Sequence, residues 1–152
     1  MSREILFRAK CIDNGEWVYG VPIKKALVGS HDGYYPKIIP ECDGRHQTVC
    51  STAIKEETIG QYTGLTDKNG SKIFEGDVVK GASEYFCNSS LNQKAVVLYD
   101  RGQFVFAFGE TLTDCKQLED FEVVAGWNGD VEVIGNIYDN RELLRGGKQW
   151  MI

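Results

Sequence analysis

Proline is scarce in this chain, three in 152 residues. No run of apolar residues approaches the roughly 20 that a membrane-crossing helix needs. The opening MSREILFRAK has no apolar run of signal-peptide length, so the expectation is a protein that stays in the cytoplasm where it is made. Basic clusters are also missing: the longest is Lys24-Lys25, and the net charge is −5. Non-specific binding to duplex DNA depends on Lys and Arg neutralising phosphates, and this balance disfavours it. The chain contains no G-x-x-x-x-G-K-[ST], no G-x-G-x-x-G and no H-E-x-x-H, the spacings that cradle phosphates or set two imidazoles on one helix face. The five cysteines are odd in number and irregularly spaced. They read as free thiols, mostly small buried side chains, and not as a disulfide framework.

What is present is glycine (17 residues) and enough apolar content, 42% with seven Phe and seven Tyr, to bury a sizeable core. Asn-Gly occurs at 14–15, 69–70 and 128–129, and Asp-Gly at 32–33 and 43–44. Such pairs supply the positive φ angles of hairpin turns, and β-branched or apolar runs flank several of them. The pattern predicts a mainly antiparallel, all-β protein. In the first hairpin, Ile5–Ile12 runs out and Trp17–Val21 runs back. With Asn14-Gly15 as a two-residue loop, Ile12 faces Trp17 and Cys11 faces Val18. Phe7, Ala9 and Cys11 then share one face, and Arg8 and Lys10 the other.

Residues 22–56 give short strands at most, around Val28, at 34–39 and at 45–50. Pro36 and Pro40 demote the middle one to an edge strand or an extended loop. Thr58–Thr63 reads as a strand and Leu65–Ser71 as a turn. Gly76 and Asp77 start the next strand, the Asp77 carboxylate accepting a backbone N–H. Residues 81–93 read as a long loop. Lys94–Tyr99 and Gln103–Phe108 form a hairpin across Asp100-Arg101-Gly102, with Phe104, Phe106 and Phe108 on one face. The stretch 111–120 has room for a single helical turn. FEVVAGWNGD at 121–130 and VEVIGNIYDN at 131–140 echo each other, which predicts a hairpin pairing Val124 with Val133 and Val123 with Ile134. After Asn140 as N-cap, RELL forms a short helix that Gly146 ends.

Three places resemble the YopX family of phage and prophage proteins. The N-terminal REILFRAK is similar to the family's opening strand. The central block carries Glu57, Thr58, Gly60, Gln61, Thr63-Gly64, Asp67, Asn69-Gly70 and Glu75-Gly76-Asp77. The last block is Val133-Ile134-Gly135-Asn136-Ile137-Tyr138, followed by Asn140, Glu142, Leu143 and Leu144. Arg141 stands where the family often has proline, which removes a helix-starting preference without forbidding the helix. The 121–130 echo also looks longer than the family's approach to its last strand. The resemblance implies an N-terminal β unit and a C-terminal SH3-like small barrel running roughly from Ile73 to Tyr138. The domain plan is therefore 1–57 for the N-terminal unit, 58–145 for the barrel unit, and 146–152 for a flexible, apolar-tipped tail. The resemblance brings no catalytic residue, cofactor or metal ligand with it.

Cys42, His46 and Cys50 are spaced C-x3-H-x3-C, and thiolate and imidazole are zinc ligands. Structural sites take four ligands, and only His31 or a distant Cys is left for the fourth. The alternative is a cysteine or two in the core and a surface histidine. A Cys–His nucleophile needs a low-pKa thiol beside His46 or His31, and no local motif marks one. Glu56-Glu57 and Glu119-Asp120 are carboxylate pairs of the kind expected on any solvated surface. Tyr85-Phe86 and Trp127 are candidates for an aromatic loop surface. Trp150-Met151-Ile152 is an apolar tip that docks on a partner, packs locally or frays.

No residue is assigned a catalytic, cofactor-binding or metal-binding role. The expected function is a phage-type accessory protein that is not an enzyme, acting through protein contacts with a second copy of itself or with a phage or host protein, and not at a membrane. The alternatives are a nucleic-acid-binding small barrel, which requires a basic and aromatic face, and a hydrolase or metal enzyme at the Cys42, His46 and Cys50 loops.

Overall fold

The computed structural model describes residues 4–23, 37–40, 52–81, 93–107, 122–123 and 131–145. The described residues are nearly all antiparallel β, as the turn spacing predicted. No helix among them is long and apolar enough to cross a membrane. The chain divides into two compact units, Met1–Tyr62 and Thr63–Ile152. The sequence-based plan placed that division at 57/58, so the two divisions differ by residues 58–62.

Unit 1 holds β1 (Phe7–Lys10), β2 (Trp17–Ile23), β3 (Lys37–Pro40), β4 (Thr52–Ala53) and the start of β5 (Gly60–Thr66). The ladder runs β4-β3-β2-β1-β5. It also returns on itself, because Ile54, directly after β4, bridges Cys11, directly after β1. The Lys55 N–H donates to the Lys10 carbonyl at 2.9 Å, and the Ile12 N–H to the Ala53 carbonyl at 3.0 Å. Ala9, Ile38 and Ile54 are buried inside this ring, with Phe7, Val18 and Ile59 packed against them. A 3-10 turn at Glu56–Thr58 leads into β5. Thr58 holds it: its Oγ1 donates to the Lys55 carbonyl at 2.7 Å and accepts the Lys10 N–H at 2.8 Å. The strand expected from Thr58 therefore begins at Gly60.

The first hairpin forms with its faces as predicted but its register two residues shorter. Lys10 pairs with Trp17, Ala9 with Val18, Arg8 with Tyr19 and Phe7 with Gly20. A type I′ loop needs positive φ at both Asn14 and Gly15, and only Gly15 has it, at 70°. The Gly15 N–H instead donates to the Cys11 carbonyl at 3.0 Å, and the Asn14 side-chain oxygen accepts the Glu16 N–H at 3.0 Å. The loop thus spans Ile12–Gly15. A two-residue shift keeps every side chain on its face, which is why the face assignment survived. The edge strand or extended loop expected at 34–39 is also corrected: β3 (Lys37–Pro40) lies between β2 and β4, with Pro40 at its last position.

Unit 2 contains the end of β5, then β6 (Lys72–Phe74), β7 (Asp77–Gly81), β8 (Gln93–Asp100), β9 (Gln103–Ala107), β10 (Glu122–Val123) and β11 (Val131–Asn136). The order β10-β9-β8-β7-β11 is antiparallel throughout. Alternation gives the sheet two apolar faces. Ile73, Val79, Ala95, Val97, Phe106 and Val131 form one core cluster, joined by Leu65, Phe104 and Val133. On the other face Val78 and Val96 pack with Leu98, Ile134, Ile137 and Leu143. The β8–β9 hairpin and the inward Phe104 and Phe106 follow the prediction, while Phe108 lies outside the described residues.

The predicted 121–140 hairpin does not form. Val123 pairs with Val105 on β9, and Val133 pairs with Val79 on β7. Three antiparallel steps separate β10 from β7, so β10 and β11 run the same way along the sheet and cannot be hairpin partners. The C-terminal helix is present at Arg141–Arg145, but it is a 3-10 turn. The Asn140 side chain reaches back toward the strand, its Oδ1 accepting the Asn136 N–H at 3.3 Å.

Candidate functional site

The residues singled out from sequence as possible ligands or contact points lie outside the described residues. They are His31, Cys42, His46, Cys50, Tyr85, Phe86, Trp127 and 150–152. Among the described residues, no group of three or more His, Cys, Asp and Glu is placed to hold a metal ion. Cys11 is a buried free thiol within the unit 1 ring.

What the structure does bring together is the pair of sequence blocks around 58–79 and 131–140. Asp67 is the junction. Its Oδ1 accepts the N–H groups of Asn69 at 2.8 Å and Ser71 at 2.9 Å, which shapes the turn between β5 and β6. Its Oδ2 accepts the N–H of Val133, 66 positions along the chain, at 3.1 Å. The next residue adds the Lys68 N–H on the Val131 carbonyl at 3.0 Å, and its ammonium pairs with Glu132 at 2.7 Å. The turn therefore covers the outer edge of β11. Burial pushes the Asp67 carboxyl up, but the three N–H donors and the Lys68 charge outweigh it and hold the pKa below its ordinary value.

The Gly76-Asp77 step is the second junction. Asp77 accepts the Phe74 N–H at 2.8 Å, the strand-starting bond predicted for it. Gly76 donates to the Val97 carbonyl at 2.8 Å and accepts from Ile137 at 2.9 Å. At the far end of β11, Asn136 Oδ1 accepts the N–H groups of Tyr138 and Asp139 at 3.0 and 2.9 Å. Asp67, Asp77 and the Asn136 Oδ1 thus serve backbone N–H groups, while Lys68 and Glu132 pair side chain to side chain.

The outer face of the unit 1 hairpin is of another kind. β1 and β2 place Lys10, Trp17, Tyr19 and Val21 on the side away from Ala9 and Val18, together with Arg8, which is itself buried at 7% exposure. The Arg8 guanidinium lies 4.5 Å and the Lys10 ammonium 4.9 Å from the centre of the half-buried Trp17 ring. Two cations on one ring fix its position. Beside it Tyr19 is 43% and Val21 51% exposed. The sequence reading assigned this face to Arg8 and Lys10 and missed the large apolar residues opposite them. The alternation Trp17, Tyr19, Val21 on the side away from Val18 carried the signal.

No curated protein is significantly similar to the chain. Among solved structures, the crystal structure of protein EF1440 from Enterococcus faecalis matches with a TM-score of 0.53 at 24% identity, covering 94% of this chain and 99% of that one. At that identity the likeness is one of fold. A family model described as YopX protein matches residues 6–145. That span includes both blocks that Asp67 and Gly76 join, and the chain belongs to the YopX family.

Proposed function

We propose that this chain is a phage-type accessory protein that works by binding other proteins and not by catalysis. The observation that carries the reading is the exposed pair Tyr19 and Val21 beside the cation-fixed Trp17 ring. Tyr, Trp and Arg are the residue types that dominate protein-binding energy when they are held rigidly. Self-association through this face is the simplest form of the proposal. An SH3-like closure of unit 2 and a cytoplasmic location belong to the same reading. Support for the closure is that β10 and β11 sit at opposite edges of the ladder although only residues 124–130 join them.

Light scattering over a concentration series tests self-association. The wild-type chain is expected to gain mass with concentration, and the Tyr19→Ser/Val21→Ser variant to remain a monomer. A wild-type monomer at every concentration would remove self-association. Equal masses for wild type and variant would remove this face from it.

A second reading is single-stranded nucleic acid on the same face, with the half-buried Lys10 over Trp17 as its phosphate contact and the Trp17 and Tyr19 rings as stacking surfaces, while Arg8 is itself buried. A gel shift with oligo(dT) decides between the two. Phosphate contacts strengthen as salt falls, so no shift at low salt eliminates this reading.

A further inference from the structure

The tip of the β8–β9 hairpin breaks a local rule. Asp100 pairs with Gln103, which leaves Arg101-Gly102 as a two-residue loop. Both loop residues have positive φ, 47° at Arg101 and 87° at Gly102. This is the type I′ requirement, and asparagine, aspartate or glycine meets it with the least strain at the first position. Arginine carries a Cβ that the left-handed conformation disfavours. Among the described residues, Arg101 is the one non-glycine residue with positive φ.

Nothing within the hairpin compensates for that choice. The Arg101 Nε lies 3.5 Å from Asp100 Oδ2, and the two side chains are 89% and 42% exposed. A loose pair in solvent contributes almost nothing. Beside it Tyr99 is 54% exposed, yet its ring is fixed edge-on against Phe104 at 5.1 Å. Phe104 in turn packs on the unit 2 core. The tip therefore presents an arginine and a rigid tyrosine on a short loop that the core holds in place. Among the described residues that local cost has no internal return, and strained residues of this kind cluster where a chain meets a partner.

We infer that the tip Tyr99–Phe104 is a second contact element, separate from the unit 1 face, for a protein segment that carries a carboxylate next to an apolar side chain. The carboxylate meets the Arg101 guanidinium, whose fork donates two parallel N–H bonds to it. The apolar side chain packs on the Tyr99 ring. A polyanion fits less well, because Asp100 flanks the arginine and the whole chain carries −5.

The test is a random dodecapeptide library selected against the full-length chain, followed by affinity measurements on Arg101→Asn. Selected peptides are expected to pair Asp or Glu with Leu, Phe or Trp. Arg101→Asn should weaken them by roughly tenfold or more, a change equivalent to about 1.4 kcal/mol. The same variant relieves the turn, so its thermal midpoint should rise by about a few degrees. Arg101→Lys, which keeps the charge but loses the fork, should bind in between. Selected peptides without acidic residues, or undiminished binding to Arg101→Asn, would overturn the proposal. A thermal midpoint that stays level or falls in Arg101→Asn would overturn its premise. Oligo(dT) binding that Arg101→Asn abolishes would replace the protein partner with a nucleic acid.

Discussion

Gly135 shows how much of this fold rests on a missing side chain. Its φ is 159°, and a Cβ built there would lie 2.5 Å from Asn140 Oδ1 and 2.6 Å from Leu143 Cδ1. Asn140 cannot retreat freely, because that oxygen accepts the Asn136 N–H. Leu143 packs with Val78 and Val96. Gly135→Ala is therefore expected to cost about 2–4 kcal/mol, combining backbone strain with overpacking. Gly64→Ala is the control: φ is 89° there, but no atom lies within 4 Å of the added Cβ, so only the backbone term remains, about 1–2 kcal/mol. Urea denaturation of the two variants decides the matter. Equal losses would show that close packing at Gly135 contributes nothing.

At the scale of elements, the Asp67 turn acts as a third partner for β11. Its two oxygens serve the β5–β6 turn on one side and Val133 on the other. Asp67→Asn turns one acceptor into a donor that faces backbone N–H groups, and should cost about 1–3 kcal/mol at neutral pH. The sign of the pH dependence follows from a folded pKa held below the ordinary 3.8. The carboxylate's contribution is fully present above about pH 3.8 and is lost as pH falls through the lower folded value. The stability gap between wild type and Asp67→Asn, measured by urea denaturation, should therefore hold down to about pH 4 and narrow below it. A gap that does not change with pH would disprove the charge-based account.

The same scale explains what was legible. The β8–β9 hairpin could be read because Gly102 marks the turn and Phe104 and Phe106 alternate on one side. The Asp77 strand start could be read because its bond is local, reaching only to Phe74. The Asp67 bond to Val133 could not, since no local pattern encodes a contact 66 residues away. The 121–140 echo misled because similar segments suggest pairing, while strand direction in a five-stranded ladder is fixed by parity. The first hairpin's register misled because Asn14-Gly15 also suits a four-residue loop. The outer face of β2 was within reach of the sequence, but exposure depends on which strands flank it.

For the whole molecule the open question is where one unit ends, and unit 1 offers a direct answer. Its ladder closes through the Cys11–Ile54 bridge, and among the described residues its core of Ala9, Ile38 and Ile54 draws on Phe7, Val18 and Ile59, all before 60. A chain of about 60 residues is marginal by surface-to-volume scaling, so single contacts decide whether it folds. A fragment ending at 57 would keep the ring but lose three supports. Thr58 would no longer bridge Lys10 and Lys55. Ile59 would no longer cover the core. The start of β5 would no longer pair Gly60 and Gln61 with Arg8 and Phe7, nor Tyr62 with the Leu6 carbonyl at 2.8 Å. A fragment 1–66 retains all three. It is expected to give dispersed amide resonances and a cooperative melt, whereas 1–57 should give neither. If 1–57 melts as cooperatively as 1–66, the boundary belongs at 57/58 and β5 is dispensable to unit 1. If neither folds, the ring in unit 1 depends on the rest of the chain, and the two units are one folding unit joined through the continuous strand β5.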